Sequence, residues 1–217
     1  KGTVGQATEV VGKSAEDVDP GQSAPPKSFV VDLDPRPLTF KGINVGTTGR
    51  AELARAWGEP QNRFRSGGAA IYEYTFEPFD KVQVTLNEEM VNAIVIYLNH
   101  TAGPQALAEQ LKLNDFQPVT VWDGSGQPLG IAFPERGVLF AYELETDPPQ
   151  VNMIVLEPLS AEPFILRARS DLENLYERKL HDLDFALKLS PDDAQAHWLR
   201  ARILKDTGQY FAALESI

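Results

Sequence analysis

The chain has no cysteine in its 217 residues, and only three histidines. Without cysteine there are no disulfides, no thiolate nucleophile and no Cys-based zinc site, and the redox compartment stays open. His100, His181 and His197 do not form the i, i+4 pair that places two imidazoles on one helix face for zinc. His181 stands beside Asp182 and Asp184, and His197 reads as a packed or solvated helix residue. Positive charge is also short. Twenty Lys and Arg face 31 Asp and Glu, a net charge of −11, which disfavours nucleic acid and anionic membranes as partners because both require clustered cations. No apolar run approaches the roughly 20 residues of a membrane span. The start at Lys1 is compatible with a removed signal peptide.

Catalytic motifs are equally scarce. There is no G-x-S-x-G elbow to raise the expectation of a Ser-His-Asp triad. Ser66-Gly67-Gly68 lacks the lysine of a phosphate loop and reads as a turn. Asp17, Asp19, Asp32 and Asp34 lack the D-x-D-x-D-G framework of a calcium loop and read as solvated acids. Glu88-Glu89 and Glu143/Glu145 would need burial to work as acid and base, and the polar turn around Glu88 argues for solvation. Asn99-His100-Thr101 matches a glycosylation acceptor, relevant only in a eukaryotic secretory route. The expectation is a protein that is not an enzyme, with no catalytic residue, cofactor or metal.

A hydrophobic content of 42% supplies a sizeable core. Residues 1–37, rich in Gly, Ser, Pro and Asp, read as a linker or extended arm, with Ser28 to Leu33 as a candidate edge strand. Residues 38–170 read as an α+β domain. Thr47 or Thr48 offers a hydroxyl cap to a short helix carrying Ala51, Leu53, Ala54 and Trp57, closed by Gly58-Glu59-Pro60. Three strand-like runs follow: Ala70 to Phe76, Lys81 to Leu86 and Val91 to Leu98, alternating or β-branched. Pro104 to Leu113 reads as a second helix. Val119 to Asp123, Leu129 to Phe133, Val138 to Glu143 and Val151 to Leu156 read as a second meander. VNAIVIYL at Val91 and VNMIVLEPL at Val151 are near copies 60 residues apart. Together these predict two tandem helix plus antiparallel β-meander units, about 47–99 and 104–158. Phe164-Ile165-Leu166 reads as an extended connector or edge strand after two prolines.

Residues 171–217 read as helices. Leu172, Leu175, Tyr176, Leu180, Leu183 and Leu187 make one amphipathic stripe. Pro191 ends that helix, Asp192 or Asp193 caps the next, and Trp198, Ala201, Ile203 and Leu204 form its expected buried side. Thr207-Gly208 stops it, and Gln209-Tyr210 opens a third run with Ala212, Ala213 and Leu214. Ala201, Leu204, Gly208, Tyr210 and Ala213, preceded by Ala186 and Pro191, resemble the tetratricopeptide repeat, a helix–turn–helix unit of roughly 34 residues. His197 stands where the family has its tryptophan and Lys179 where it has a small residue, so the alternative of an ordinary helical hairpin stays open. The resemblance implies a protein-binding array. Stacked repeats need neighbours to cover their faces. The pattern stops at Ile217, inside the third helical run, which predicts further repeats beyond it or self-association through that helix.

A second resemblance lies in GTTGRAELARAWGEPQNRF. Thr47 or Thr48, Leu53, Trp57, Gly58 and Pro60, followed by strands, resemble the small helix–sheet lipoproteins of bacterial outer-membrane assembly, and the doubled arrangement resembles the secreted β-lactamase-inhibitor fold. Those families imply binding through a sheet face, without catalysis, in the bacterial cell envelope or periplasm. Two hairpin loops add candidates. Trp122 roots the turn Asp123–Pro128, and Phe133-Pro134-Glu135-Arg136-Gly137 sets an acid beside an arginine. Exposed hairpin chemistry is one reading of both loops, and a recognition edge using Trp122 and Arg136 is the other. Trp198, Arg202 and Tyr210 are the candidates on the helices. The functional expectation is a non-catalytic protein–protein scaffold or adaptor, against an alternative small-ligand-binding or enzyme-inhibiting domain working through the sheet face and loops.

Overall fold

The computed structural model describes residues 34–144, 146–170 and 175–216. Ser28 to Leu33, Asp17, Asp19, Asp32, Glu145, Leu172 and Ile217 lie outside the described residues. Asp34 is an exposed acid paired with Arg36 at 2.6 Å.

The chain is α+β. A two-stranded hairpin, β1 (Thr39–Phe40) and β2 (Ile43–Asn44), leads to α1 (Arg50–Trp57) and the strands β3 (Asn62–Ser66), β4 (Ala69–Tyr74), β5 (Phe79–Asn87) and β6 (Met90–Ala102). The order then recurs: α2 (Pro104–Gln110), β7 (Val119–Trp122), β8 (Pro128–Phe133), β9 (Val138–Tyr142) and β10 (Val151–Leu156). Each segment is thus one helix followed by four strands. The first strand of the first segment, β3, escapes sequence reading because all five of its residues are exposed, so no inside–outside alternation marks it.

The two meanders merge into one eight-stranded antiparallel sheet, ordered β3-β4-β5-β6-β10-β9-β8-β7. The seam is formed by the two similar sequence pieces. Ile94 faces Leu156, Val95 faces Val155 and Ile96 faces Ile154. Because Val155 is also the counterpart of Val95 in sequence, a local twofold relation passes through that pair. It extends outward by register: Tyr72 pairs with Val84 and Ile131 with Phe140, so Tyr72 and Ile131 are counterparts. The helices match as well. Gly49 and Gly103 precede α1 and α2, and the fourth residue of each, Leu53 and Leu107, is buried.

Both helices lie on one face of the sheet. Leu53, Leu107, Leu113 and Phe116 pack there with Tyr72, Val82, Val84, Ile94, Phe140 and Ile154. Burying each of these side chains contributes roughly 1.5–3 kcal/mol. Trp57 seals the first unit, its ring 5.2 Å from Tyr74, 4.9 Å from Phe76 and 5.7 Å from Phe40. The other face presents Gln83, Val95, Val155 and Leu139 in one row, ending at Ala132 and Val119. At that end Ala132 and Val119 are buried beside the helices that follow.

Two local expectations are corrected. The hydroxyl of Thr48 does not cap α1. It accepts from the Asn44 amide at 2.9 Å, the N-cap is Gly49, and the Arg50 amide donates to the Glu89 carbonyl at 2.8 Å. A neighbouring strand end supplies the acceptor that a side chain would otherwise provide. Phe164-Ile165-Leu166 is not extended either: it lies in α3 (Ala161–Arg169). Pro163 sits in the first turn, where no intrahelical N–H bond is lost, and Phe164, Ile165 and Ala168 share a buried helical face.

Three more helices follow: α4 (Tyr176–Leu189), α5 (Ala194–Asp206) and α6 (Tyr210–Leu214). Phe164, Ile165, Leu183, Ala186, Ala196, Leu199 and Ile203 make a second core. Of the expected stripe on α4, Leu183 is fully buried, Leu180 and Leu187 pack at the edge, and Leu175 and Tyr176 are exposed. No helix of the described residues is long and apolar enough to cross a membrane.

Candidate protein-interaction groove

The α4–α5 turn is built as its sequence requires. Pro191 stops α4, and the carboxylate of Asp193 accepts from the amides of Gln195 and Ala196 at 3.0 and 2.9 Å, capping α5. Thr207 donates its hydroxyl to the carbonyls of Ile203 and Leu204. Gly208, at φ 79°, then takes a left-handed conformation that side chains disfavour, and the chain reverses into α6. His197 holds the return: its ring nitrogens lie 3.0 and 2.7 Å from the carbonyl oxygens of Ser216 and Pro191. Arg200 ties α5 to α4 and to the turn after α6, donating to Asp184 at 2.6 Å and to the Ser216 hydroxyl.

These constraints decide which way α5 faces. Ala196, Leu199, Ala201, Ile203 and Leu204 turn inward. Trp198, expected on the buried side, is 59% exposed. The correction follows from the helical period: Leu199 and Ile203, four apart, point at α3 and α4, and Trp198 lies one step round the helix from them. Trp198 instead lines a groove of about 610 Å³ between α5 and α6, with Ala201, Arg202, Lys205, Tyr210 and Leu214. The Arg202 guanidinium stands 5.6 Å from the Trp198 ring centre and 3.9 Å from Asp206. Tyr210 is 63% exposed, and the next residue, Phe211, 87%.

Trp198, Arg202 and Tyr210 are therefore brought together, whereas Trp122 and Arg136 stand apart from them and from each other. Trp122 is 55% exposed at the end of β7. The following turn is organised by Asp123, whose carboxylate accepts from the amides of Gln127 and Ser125 and from the Ser125 hydroxyl at 2.7–2.8 Å. Those bonds, led by Gln127, hold its pKa below the ordinary aspartate value. Arg136 is partly buried. Its guanidinium lies 4.5 Å from the Phe116 ring centre and donates to the Arg36 carbonyl, so it packs.

The neighbouring Glu135 is not an exposed turn charge. It is buried in a single 3₁₀ turn, Pro134–Arg136, closed by Gly137 at φ 58°. There it meets Arg167 of α3 and Asp182 of α4. Arg167 donates from Nε and Nη2 to Asp182 at 2.9 and 2.6 Å. It donates from Nη2 and Nη1 to Glu135 at 2.6 and 3.1 Å, and from Nη1 to the Gln117 carbonyl at 2.6 Å. All five guanidinium donors are used. Burial alone would lower the pKa of Arg167, but the hydrogen bonds it donates to Asp182 and Glu135 outweigh it and raise the value. The cluster ties the helices to the sheet. An extended reading of Phe164-Ile165-Leu166 hides it; the helical spacing of Phe164, Ile165 and Ala168 is the signal that reveals α3.

No family model matches the chain, and no curated protein matches it. Among solved structures the chain is similar to an extracellular protein containing a SCP domain from Bacillus anthracis str. Ames. The TM-score is 0.35 and the identity 13%, with 88% of this chain and 65% of that one covered, so the chain spans just under two thirds of that protein's length. Nothing about function follows from a likeness this distant.

Proposed function

We propose that the protein is a non-catalytic scaffold or adaptor that binds a protein partner through the α5–α6 groove. The observation that supports this most is the convergence of exposed Trp198 and Tyr210 with Arg202 around one largely apolar groove. Exposed aromatic and Arg clusters are the residue types that dominate binding energy at interfaces, and contiguous apolar patches mark such surfaces. The tetratricopeptide-like order of Ala201, Leu204, Gly208, Tyr210 and Ala213 supports the same reading. Affinity capture from the source lysate tests it. Specific proteins retained by the wild-type chain and lost with Trp198→Ala/Tyr210→Ala support the groove. The same set on both baits, or none on either, refutes it.

The alternative, a small-ligand or enzyme-inhibiting domain acting through the sheet, has its own observation. The face opposite α1 and α2 carries an ordered polar ladder across four strands. Asn62 and Gln83 donate to Glu73 at 2.9 and 2.7 Å, and Tyr97 donates to Gln83 at 2.9 Å. Beside it the face is apolar at Val95, Met153 and Val155, a surface suited to a flat partner. If capture survives loss of the groove but not Tyr97→Ala, the sheet reading replaces the groove.

A further inference from the structure

The two units of the sheet can be compared position by position, and one of the places where they differ lies under the start of each helix. In the first unit Tyr72 fills the space under the start of α1. Its ring is buried, with the guanidinium groups of Arg63 and Arg50 at 5.3 and 5.8 Å from its centre. Arg50 is the first residue of α1, and Arg63 lies opposite Tyr72 on β3. In the second unit Ile131 takes the place of Tyr72. Pro104 is the first residue of α2, and Thr120 lies opposite Ile131. One aromatic ring and two long cationic side chains have thus been replaced by three smaller residues. A cavity of about 250 Å³ opens there, between α2 and the sheet.

Its floor is apolar and buried, formed by Ala108, Leu113, Phe116 and Phe133. At the exposed rim stand two side-chain amides, Gln105 and Asn114. The Gln105 Nε2 donates to Asn114 Oδ1 at 3.5 Å and to Glu109 at 3.4 Å, the long end of hydrogen-bond distances. Pockets of this kind, apolar with a few convergent polar groups, are the usual form of small-molecule sites. A dry apolar cavity of about 150 Å³ is already enough to take up benzene.

We propose that this cavity is a binding site for a small free molecule with a phenol-like ring. The ring occupies the volume that Tyr72 fills in the first unit, and its hydroxyl reaches the Gln105 and Asn114 amides. The site is independent of the α5–α6 groove and of the partner bound there.

The test uses p-cresol, the side-chain analogue of tyrosine, titrated into the full ¹⁵N-labelled chain by NMR. Saturable shifts are expected at the amides of Ala108, Phe116 and Ile131. Ile131→Tyr, which copies the first unit, is expected to weaken binding at least tenfold, while Trp198→Ala leaves it unchanged. Should Ile131→Tyr fail to fold, the exposed rim variant Gln105→Ala/Asn114→Ala replaces it, with an expected weakening of threefold or more. Non-saturable shifts, or a folded cavity or rim variant that binds p-cresol like the wild type, would overturn the proposal. So would loss of binding in Trp198→Ala, which would move the ligand to the helical groove.

Discussion

Arg167 grips Asp182 through two parallel hydrogen bonds, Nε to Oδ2 at 2.9 Å and Nη2 to Oδ1 at 2.6 Å, with the guanidinium 3% exposed. The other edge of the same guanidinium holds Glu135 between β8 and β9. Removing this cation leaves two buried carboxylates without the guanidinium that binds them, although the buried Arg178 still acts on both, and breaking a buried ion pair from one side costs about 3–5 kcal/mol. Arg167→Ala is expected to lose stability of that order in urea denaturation. Replacing Glu135, Arg167 and Asp182 together with Arg178, the buried cation on which both carboxylates also act, by apolar residues of similar volume is expected to recover most of it. A quadruple variant no more stable than Arg167→Ala would refute this account of the cluster.

The groove variants should behave in the opposite way. Trp198 and Tyr210 make little contact with the core, and surface substitutions away from special features usually change stability by less than about 0.5 kcal/mol. Trp198→Ala and Tyr210→Ala are expected to melt within a few degrees of wild type. Each should weaken a captured partner tenfold or more in a titration, since buried aromatic anchors are worth about 2 kcal/mol or more at an interface. A large stability loss instead would assign both residues to helix packing.

Asp123 gives a pH prediction. Its pKa is lowered in the folded state by the bonds from Gln127 and Ser125. The stabilisation is therefore present above the unfolded-state aspartate pKa, and it is lost as pH falls through the lower folded value. Asp123 should titrate by NMR with a midpoint below that of an unstructured aspartate, and Asp123→Asn should remove that acid-dependent component. A midpoint at or above the ordinary value would contradict the turn geometry.

Gly137 closes the 3₁₀ turn that carries Glu135. At φ 58°, a Cβ there would meet the Glu157 carbonyl oxygen at 2.2 Å, a backbone contact that cannot swing aside. Gly137→Ala is expected to cost more than about 1 kcal/mol, above the usual penalty for a left-handed alanine, and to displace Glu135 from Arg167. Denaturation together with the Arg167 Nε–H NMR resonance would check both effects.

Much of the architecture was legible because it is local. Period-two runs of Val, Ile, Tyr and Phe mark β4, β5, β6 and β10. Pro191, Asp193 and Gly208 mark the helix breaks, since each acts through its own backbone geometry. The similarity of Val91–Ile96 to Val151–Leu156 was legible too, and it predicted two units. Only the tertiary structure decided that these copies pair with each other, Val95 against Val155, because strand partners across 60 residues are chosen by register and shared burial. The same holds for the site. Residue type singled out Trp198, Arg202 and Tyr210, but the exposure of Trp198 depends on which face α3 and α4 cover. The spacing of Phe164, Ile165 and Ala168 marks the helix that carries Arg167, but nothing local joins Arg167 to Glu135 and Asp182. These three residues come from a turn and two helices, and their charges are compatible with burial only because the fold brings all three together.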